Sequence, residues 1–176
     1  MFDIKYRIVD IEENDSDELE GNEGYFMLIC NEHNYGEIFP PELDNIMGTV
    51  SIYWYFIYLL EIVDKLKSKK IAYLSDIDSY NTWIEFKLID ESVVISVGTG
   101  EQEDETGAIE YIEPSNFSYS RWMNQTVDYD CFKNVILEKA TNYSEELRNL
   151  NPSKLTNTNL IKLKNKIAYL IKQKLS

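Results

Sequence analysis

The sequence predicts an α+β fold: a mostly antiparallel sheet packed on one long apolar helix, closed by a C-terminal helical pair. Three observations carry this reading. Apolar and polar residues alternate from Phe2 and again from Thr82. Residues 46–69 are apolar on nearly every side, as in a helix enclosed by other elements. From Asp128 onward, apolar residues recur at helical spacing.

Taken in order, Phe2 to Ile11 reads as a strand, with Phe2, Ile4, Tyr6 and Ile8 on one face and Asp3, Lys5 and Arg7 on the other. Glu12 to Gly24 is an acidic loop. Gly24 to Asn31 is a second strand, apolar throughout, and pairs with the first in a wide hairpin. Glu32 to Asp44 is irregular, because Pro40-Pro41 forbids regular structure. Asp44 or Asn45 then caps a helix from Ile46 to Lys69, whose closing lysines complement its dipole.

Three strand-like runs follow: Ile71–Leu74, Thr82–Ile89 and Val93–Val97, the last two joined by a turn at Asp90-Glu91-Ser92. In the middle run Ile84, Phe86 and Leu88 face one way and Trp83, Glu85 and Lys87 the other. Gly98 to Gly107 is a second acidic loop, Ala108–Ile112 another strand, and Glu113–Thr126 shows no clear period. Asp128–Leu150 is a helix. Asn151-Pro152-Ser153 interrupts the chain, with Pro152 suited to a helix start. Asn159–Leu175 is a basic amphipathic helix with Leu160, Leu163, Ile167, Leu170 and Ile171 on one face.

The 176 residues fit a single domain, with residues 1–126 forming the sheet and central helix and 127–176 the C-terminal helices. Two cysteines, Cys30 and Cys131, fit a reducing compartment. Residues 1–20 lack a basic segment followed by an apolar one, and the apolar run from Val50 to Leu60 is too short to span a bilayer. The expected location is the cytoplasm, with no membrane contact.

The net charge of −14 is unevenly placed. Through Asp130, eight Lys/Arg stand against 28 Asp/Glu, a balance of −20; from Cys131, nine stand against three, a balance of +6. A negative body repels phosphates, which excludes direct nucleic-acid binding by that part, and attracts cationic proteins.

Residues able to do chemistry are few. His33 is the only histidine, so any Ser-His or Cys-His arrangement must use it. Cys30 and His33 have a spacing that suits two zinc ligands, but Cys131 is the only other soft ligand and a structural site wants about four. Cys30 therefore reads as core and His33 as a loop residue. The loop from Asp15 to Gly21 has a calcium-loop composition, but Leu19 and Glu20 stand where an oxygen ligand and a glycine belong. The carboxylate pairs Asp76 with Asp78 and Glu101 with Glu103 are unremarkable in so acidic a chain, and no phosphate-binding glycine motif is present. The reading is of a non-enzymatic protein with no cofactor and no metal.

What remains is a set of aromatics among acidic loops, including Tyr35, Phe39, Phe117 and Tyr119. Aromatic side chains ringed by carboxylates suit recognition of a Lys/Arg-rich surface. The expected partner-binding residues are Glu18, Glu20, Tyr80, Trp83, Glu101, Glu103, Asp104, Glu105, Tyr111 and Trp122. The basic last helix reads as a solvated lysine face over a packed stripe, and also suits docking on the acidic body of its own chain.

The long apolar helix followed by the hairpin Tyr80-Asn81-Thr82-Trp83-Ile84-Glu85-Phe86 through Val93-Val94-Ile95-Ser96-Val97 resembles small immunity proteins of bacterial polymorphic-toxin systems. The resemblance lies in length, acidity and element order over roughly the first two thirds of the chain, and leaves the Lys-rich last helix unexplained. It implies a protein that binds and neutralises a cognate, often cationic toxin by covering its active or binding surface; the expected state is a monomer or homodimer. The alternative is a structural or adaptor subunit that assembles through the C-terminal helices.

Overall fold

The computed structural model describes residues 1–9, 19–76, 79, 81–103 and 107–174. The fold is α+β, with two antiparallel sheets around a long helix and a helical pair at the end.

The first sheet starts with β1 (Phe2–Ile8) and β2 (Glu23–Cys30), paired antiparallel from Phe2 opposite Cys30 to Ile8 opposite Gly24. Beyond Val9, the end of the expected first strand and the acidic loop through Glu18 lie outside the described residues. A two-residue turn with Asn31 at positive φ returns the chain as β3 (His33–Gly36), so the stretch before Pro40-Pro41 is not wholly irregular. After a single 3₁₀ turn at Pro41–Leu43, β4 (Val50–Ser51) pairs with the start of β2. This pairing delays the helix. α1 runs Ile52–Lys69 and is capped by the Ser51 side chain, not by Asp44 or Asn45, because residues 50 and 51 spend their backbone groups on the sheet first. Lys70, in the left-handed conformation, ends it.

The second sheet has β5 (Ile71–Ser75), β6 (Thr82–Ile89), β7 (Ser92–Glu101), β8 (Ile109–Glu110), β9 (Ser115–Tyr119) and β10 (Gln125–Asp128). Its path is β10-β7-β6-β5-β8, with β9 also on β7. Two segments expected to be irregular are therefore ordered. Gly98–Glu101 extends β7, and β9 and β10 share one edge of that strand, β10 at residues 92–95 and β9 at 98–101, with a bulge between Thr99 and Glu101. Their alternation is hidden because each is short and half exposed.

α1 contacts β2 on one side and β5 and β6 on the other. α2 (Tyr129–Leu150), capped by Asp128, bridges the sheets: Phe132 lies 4.9 Å from Phe2 and 5.6 Å from Phe86 between ring centres. α3 (Thr158–Lys174) starts later than Pro152, with Asn157 Oδ1 accepting from the Asn159 N–H at 2.9 Å. Leu160, Leu163, Ile167 and Leu170 are buried, whereas Ile171 points outward. Lys166 meets Glu61 at 3.3 Å and Lys162 sits over the Trp54 ring, so the basic helix docks on its own acidic body. Among the described residues no helix is long and apolar enough to cross a membrane.

Candidate functional site

The outer face of the second sheet, turned away from α1, carries Tyr73, Trp83, Glu85, Ser96 and Gly98 in register across β5, β6 and β7. Sequence alternation puts Trp83, Glu85 and Lys87 on one side of β6, and the structure encloses Trp83 and Glu85 there completely. The reason is β9. Its Phe117 and Tyr119 fold over this face, and Phe117 meets Tyr73 edge-on at 5.2 Å. The approach needs glycine: a Cβ at Gly98 would sit 2.5 Å from the Phe117 ring and 2.6 Å from the Ser118 carbonyl oxygen.

Beneath that cover, Glu85 accepts from the Tyr73 hydroxyl at 2.9 Å and the Tyr119 hydroxyl at 3.2 Å, and pairs with Lys87 Nζ at 2.8 Å. A buried carboxylate needs such donors. Burial, reinforced by Glu85, pushes the Tyr73 phenol far above its ordinary range. Burial opposes the Lys87 charge, but hydrogen bonds to Glu85 and Tyr119 outweigh it and hold the ammonium above its usual value. Trp83 is equally committed, its indole N–H donating to Gly100 O at 2.9 Å. It therefore belongs to the structure under the face, and its expected role as a surface contact is corrected.

Above this layer lies the acidic surface. Glu101 Oε1 accepts from Asn116 Nδ2 at 2.8 Å, Glu103 Oε1 from Ser115 Oγ at 2.8 Å, and Glu110 Oε1 from the Gly107 N–H at 2.7 Å. Glu113 Oε2 accepts weakly from Tyr73 at 3.4 Å. All these donors are neutral. Among the described residues no Lys or Arg makes an ion pair with Glu101, Glu110 or Glu113. Between Glu110 and Glu113, Ile112 is 77% exposed, and Tyr119 is 43% exposed at the rim. Tyr111 is half-buried, with Lys69 over its ring. Glu110, Ile112 and Glu113 were not singled out as site residues; pairing of β8 with β5 sets Glu110 opposite Tyr73 on this face, and Glu113 reaches the Tyr73 hydroxyl. The acid count of residues 101–113 was the one available signal.

The other expected residues lie elsewhere. Trp122 stacks on His33 at 5.7 Å and donates to Asn34 O at 3.1 Å, tying the second sheet to β3. Glu20 is exposed, but its backbone is held by Asn151 at the end of α2, and no described contact joins it to Glu101. Glu18, Tyr80, Asp104 and Glu105 fall outside the described residues.

Asp76, read in the sequence only as half of a carboxylate pair, is buried and accepts from the hydroxyls of Tyr55 at 3.0 Å and of Tyr35. It borders a cavity of about 190 Å³ walled by Tyr25, Phe26, Phe39 and Arg121. Cys30 is buried in β2 opposite the exposed His33, and Cys131 is exposed on α2. Among the described residues no three His, Cys, Asp or Glu side chains converge as a metal site.

No protein-family model, curated protein or solved structure matches this chain.

Proposed function

We propose that the protein is a non-enzymatic acidic binding protein of the immunity type, which neutralises a cognate basic toxin by covering its active or binding surface. One observation carries the reading: Glu101, Glu110 and Glu113 are oriented by neutral donors and lack ion-pair partners among the described residues, and Glu110 and Glu113 flank the exposed Ile112 along the chain. Carboxylates fixed in this way lose little freedom when a cation docks, and an exposed apolar side chain among them supplies buried area. Their field also speeds encounter with a cationic partner. The cytoplasm of a bacterial cell is the setting this reading implies.

The test is binding to a basic toxin domain encoded beside this chain, measured by interferometry at low salt and at about 0.15 M salt, where charges are screened beyond about 8 Å. The association rate is expected to fall steeply with salt. The triple variant Glu101→Lys, Glu110→Lys, Glu113→Lys is expected to lose at least roughly tenfold in affinity, or about 1.4 kcal/mol. Unchanged affinity in that variant would overturn the placement.

A second reading, an adaptor that assembles through the last helix, has its own observation: Ile161, Tyr169 and Ile171 are each about half exposed on the outer side of α3. Removing α3 would open the core, so the clean test is light scattering on Ile161→Lys with Tyr169→Lys. Loss of an oligomer supports the adaptor.

A further inference from the structure

The open edge of β1 forms a trough with two walls. α2 forms one wall, with Lys139, Asn142, Glu145, Glu146 and Asn149 facing it; Ile38 borders the other. The space holds about 630 Å³. Ile4–Arg7 spans about 10 Å at roughly 3.3 Å per residue, and residues 139–149 of the helix run on past it over about 15 Å at 1.5 Å per residue.

The backbone of β1 is available along this trough. Asn31 N–H bonds Met1 O at 2.8 Å and Val9 N–H bonds Glu23 O at 3.2 Å, bracketing the β1–β2 ladder. In that register the odd-numbered residues exchange hydrogen bonds with β2, and the even-numbered ones turn their N–H and C=O groups to the open side. The Ile4 N–H is answered by Asp3 Oδ1 at 2.8 Å. Among the described residues nothing answers the N–H of Tyr6 or Ile8 on that side. An unpaired edge of this kind is a template for another strand.

We infer that this trough binds a single extended peptide segment of a partner protein, which adds as a strand to β1 and presents Lys or Arg to α2. The walls favour one strand over a second sheet edge, because α2 on one side and Ile38 on the other border the open edge of β1. Charge favours the cation. Lys139 is taken by Asp3 at 2.9 Å and Arg7 by Asp44; the exposed Lys5, in no ion pair among the described residues, stands against two carboxylates, Glu146, which receives only the Tyr6 hydroxyl, and Glu145, exposed beside it. Asn142 and Asn149 offer neutral hydrogen bonds to either side of that position. Main-chain bonds give such a site its affinity and the alternate side chains its specificity.

This inference does not depend on the acidic face described above, and its test keeps the two apart. End-blocked peptides of about seven residues, the length of β1, alternate Thr and Val around a central Lys, Gln or Glu. Binding is read by fluorescence anisotropy and by amide hydrogen exchange at Tyr6 and Ile8. The Lys peptide is expected to bind at least roughly tenfold tighter than the Glu peptide and to slow exchange at both amides. N-methylation of alternate peptide amides should abolish binding. Glu145→Lys with Glu146→Lys, checked by circular dichroism, should reverse the charge preference, and the Glu101/Glu110/Glu113 triple variant should bind peptide normally. Absence of saturable binding, binding without protection of Tyr6 and Ile8, or protection of those amides by dimerisation in sedimentation without peptide would each overturn the inference.

Discussion

Tyr73 and Glu85 face each other across β5 and β6, and the hydroxyl of the first donates to Oε1 of the second at 2.9 Å with both side chains fully enclosed. Their network is what β9 closes over. Glu85→Ala would leave Tyr73, Tyr119 and Lys87 without their shared acceptor. Breaking one side of a buried pair costs about 3–5 kcal/mol, and the partial exposure of Lys87 places this case near 3 kcal/mol. Glu85→Gln keeps the shape and one acceptor and is expected to cost about 1–2 kcal/mol. Urea denaturation of the three proteins checks the order.

Gly98→Ala tests the same cover from above. The new methyl group meets a backbone oxygen at 2.6 Å as well as the Phe117 ring, so a side-chain rotation alone does not relieve it. Overpacking of this kind costs about 1–3 kcal/mol. Amide exchange should rise in β9 while β1 and β2 stay protected; a uniform change would contradict the local origin.

The cysteines should behave oppositely. Cys131 is exposed, whereas burial pushes the Cys30 thiol up to about 11. At pH 8 a disulfide reagent is expected to titrate one thiol in the native protein and the second only after denaturation. Mass spectrometry should place the first label on Cys131. Prompt labelling of Cys30 under native conditions would contradict the packing of β2.

Alkaline pH should unfold the protein through its tyrosines. Burial raises Tyr53 to about 12 and moves Tyr6, Tyr73 and Tyr143 higher still, the first two helped by carboxylates. Folded values above the ordinary 10.0 favour the neutral phenol in the folded state. This contribution is complete below pH 10 and disappears as pH climbs through 12 and beyond. Of the thirteen tyrosines, some should titrate near pH 10 in the phenolate absorbance, and the buried ones only together with loss of the circular dichroism signal. A single midpoint near 10 with native dichroism would refute this.

Local sequence determined the parts of this protein that local physics controls. Alternation in Phe2–Ile8, the all-round apolar α1 and the 3.6-residue spacing of Leu160, Leu163, Ile167 and Leu170 each reveal an element that buries one face or all of itself. The charge split, and with it the expectation of a cationic partner, is likewise a property of the chain. Tertiary structure decided which faces are wet. Trp83 and Glu85 occupy the polar phase of an alternating strand, yet a strand more than thirty residues later, β9, buries them. The start of α1 moved to Ile52 because β2 claimed residues 50 and 51. The candidate face shows the same division. Glu101 and Glu103 were visible as charge, but Glu110 reaches this face only when β8 pairs with β5, and Ser115 and Asn116 reach the two glutamates only when β9 pairs with β7. Side-chain period and charge are set by neighbours in sequence, whereas burial and adjacency depend on pairings between distant strands, which no local window contains.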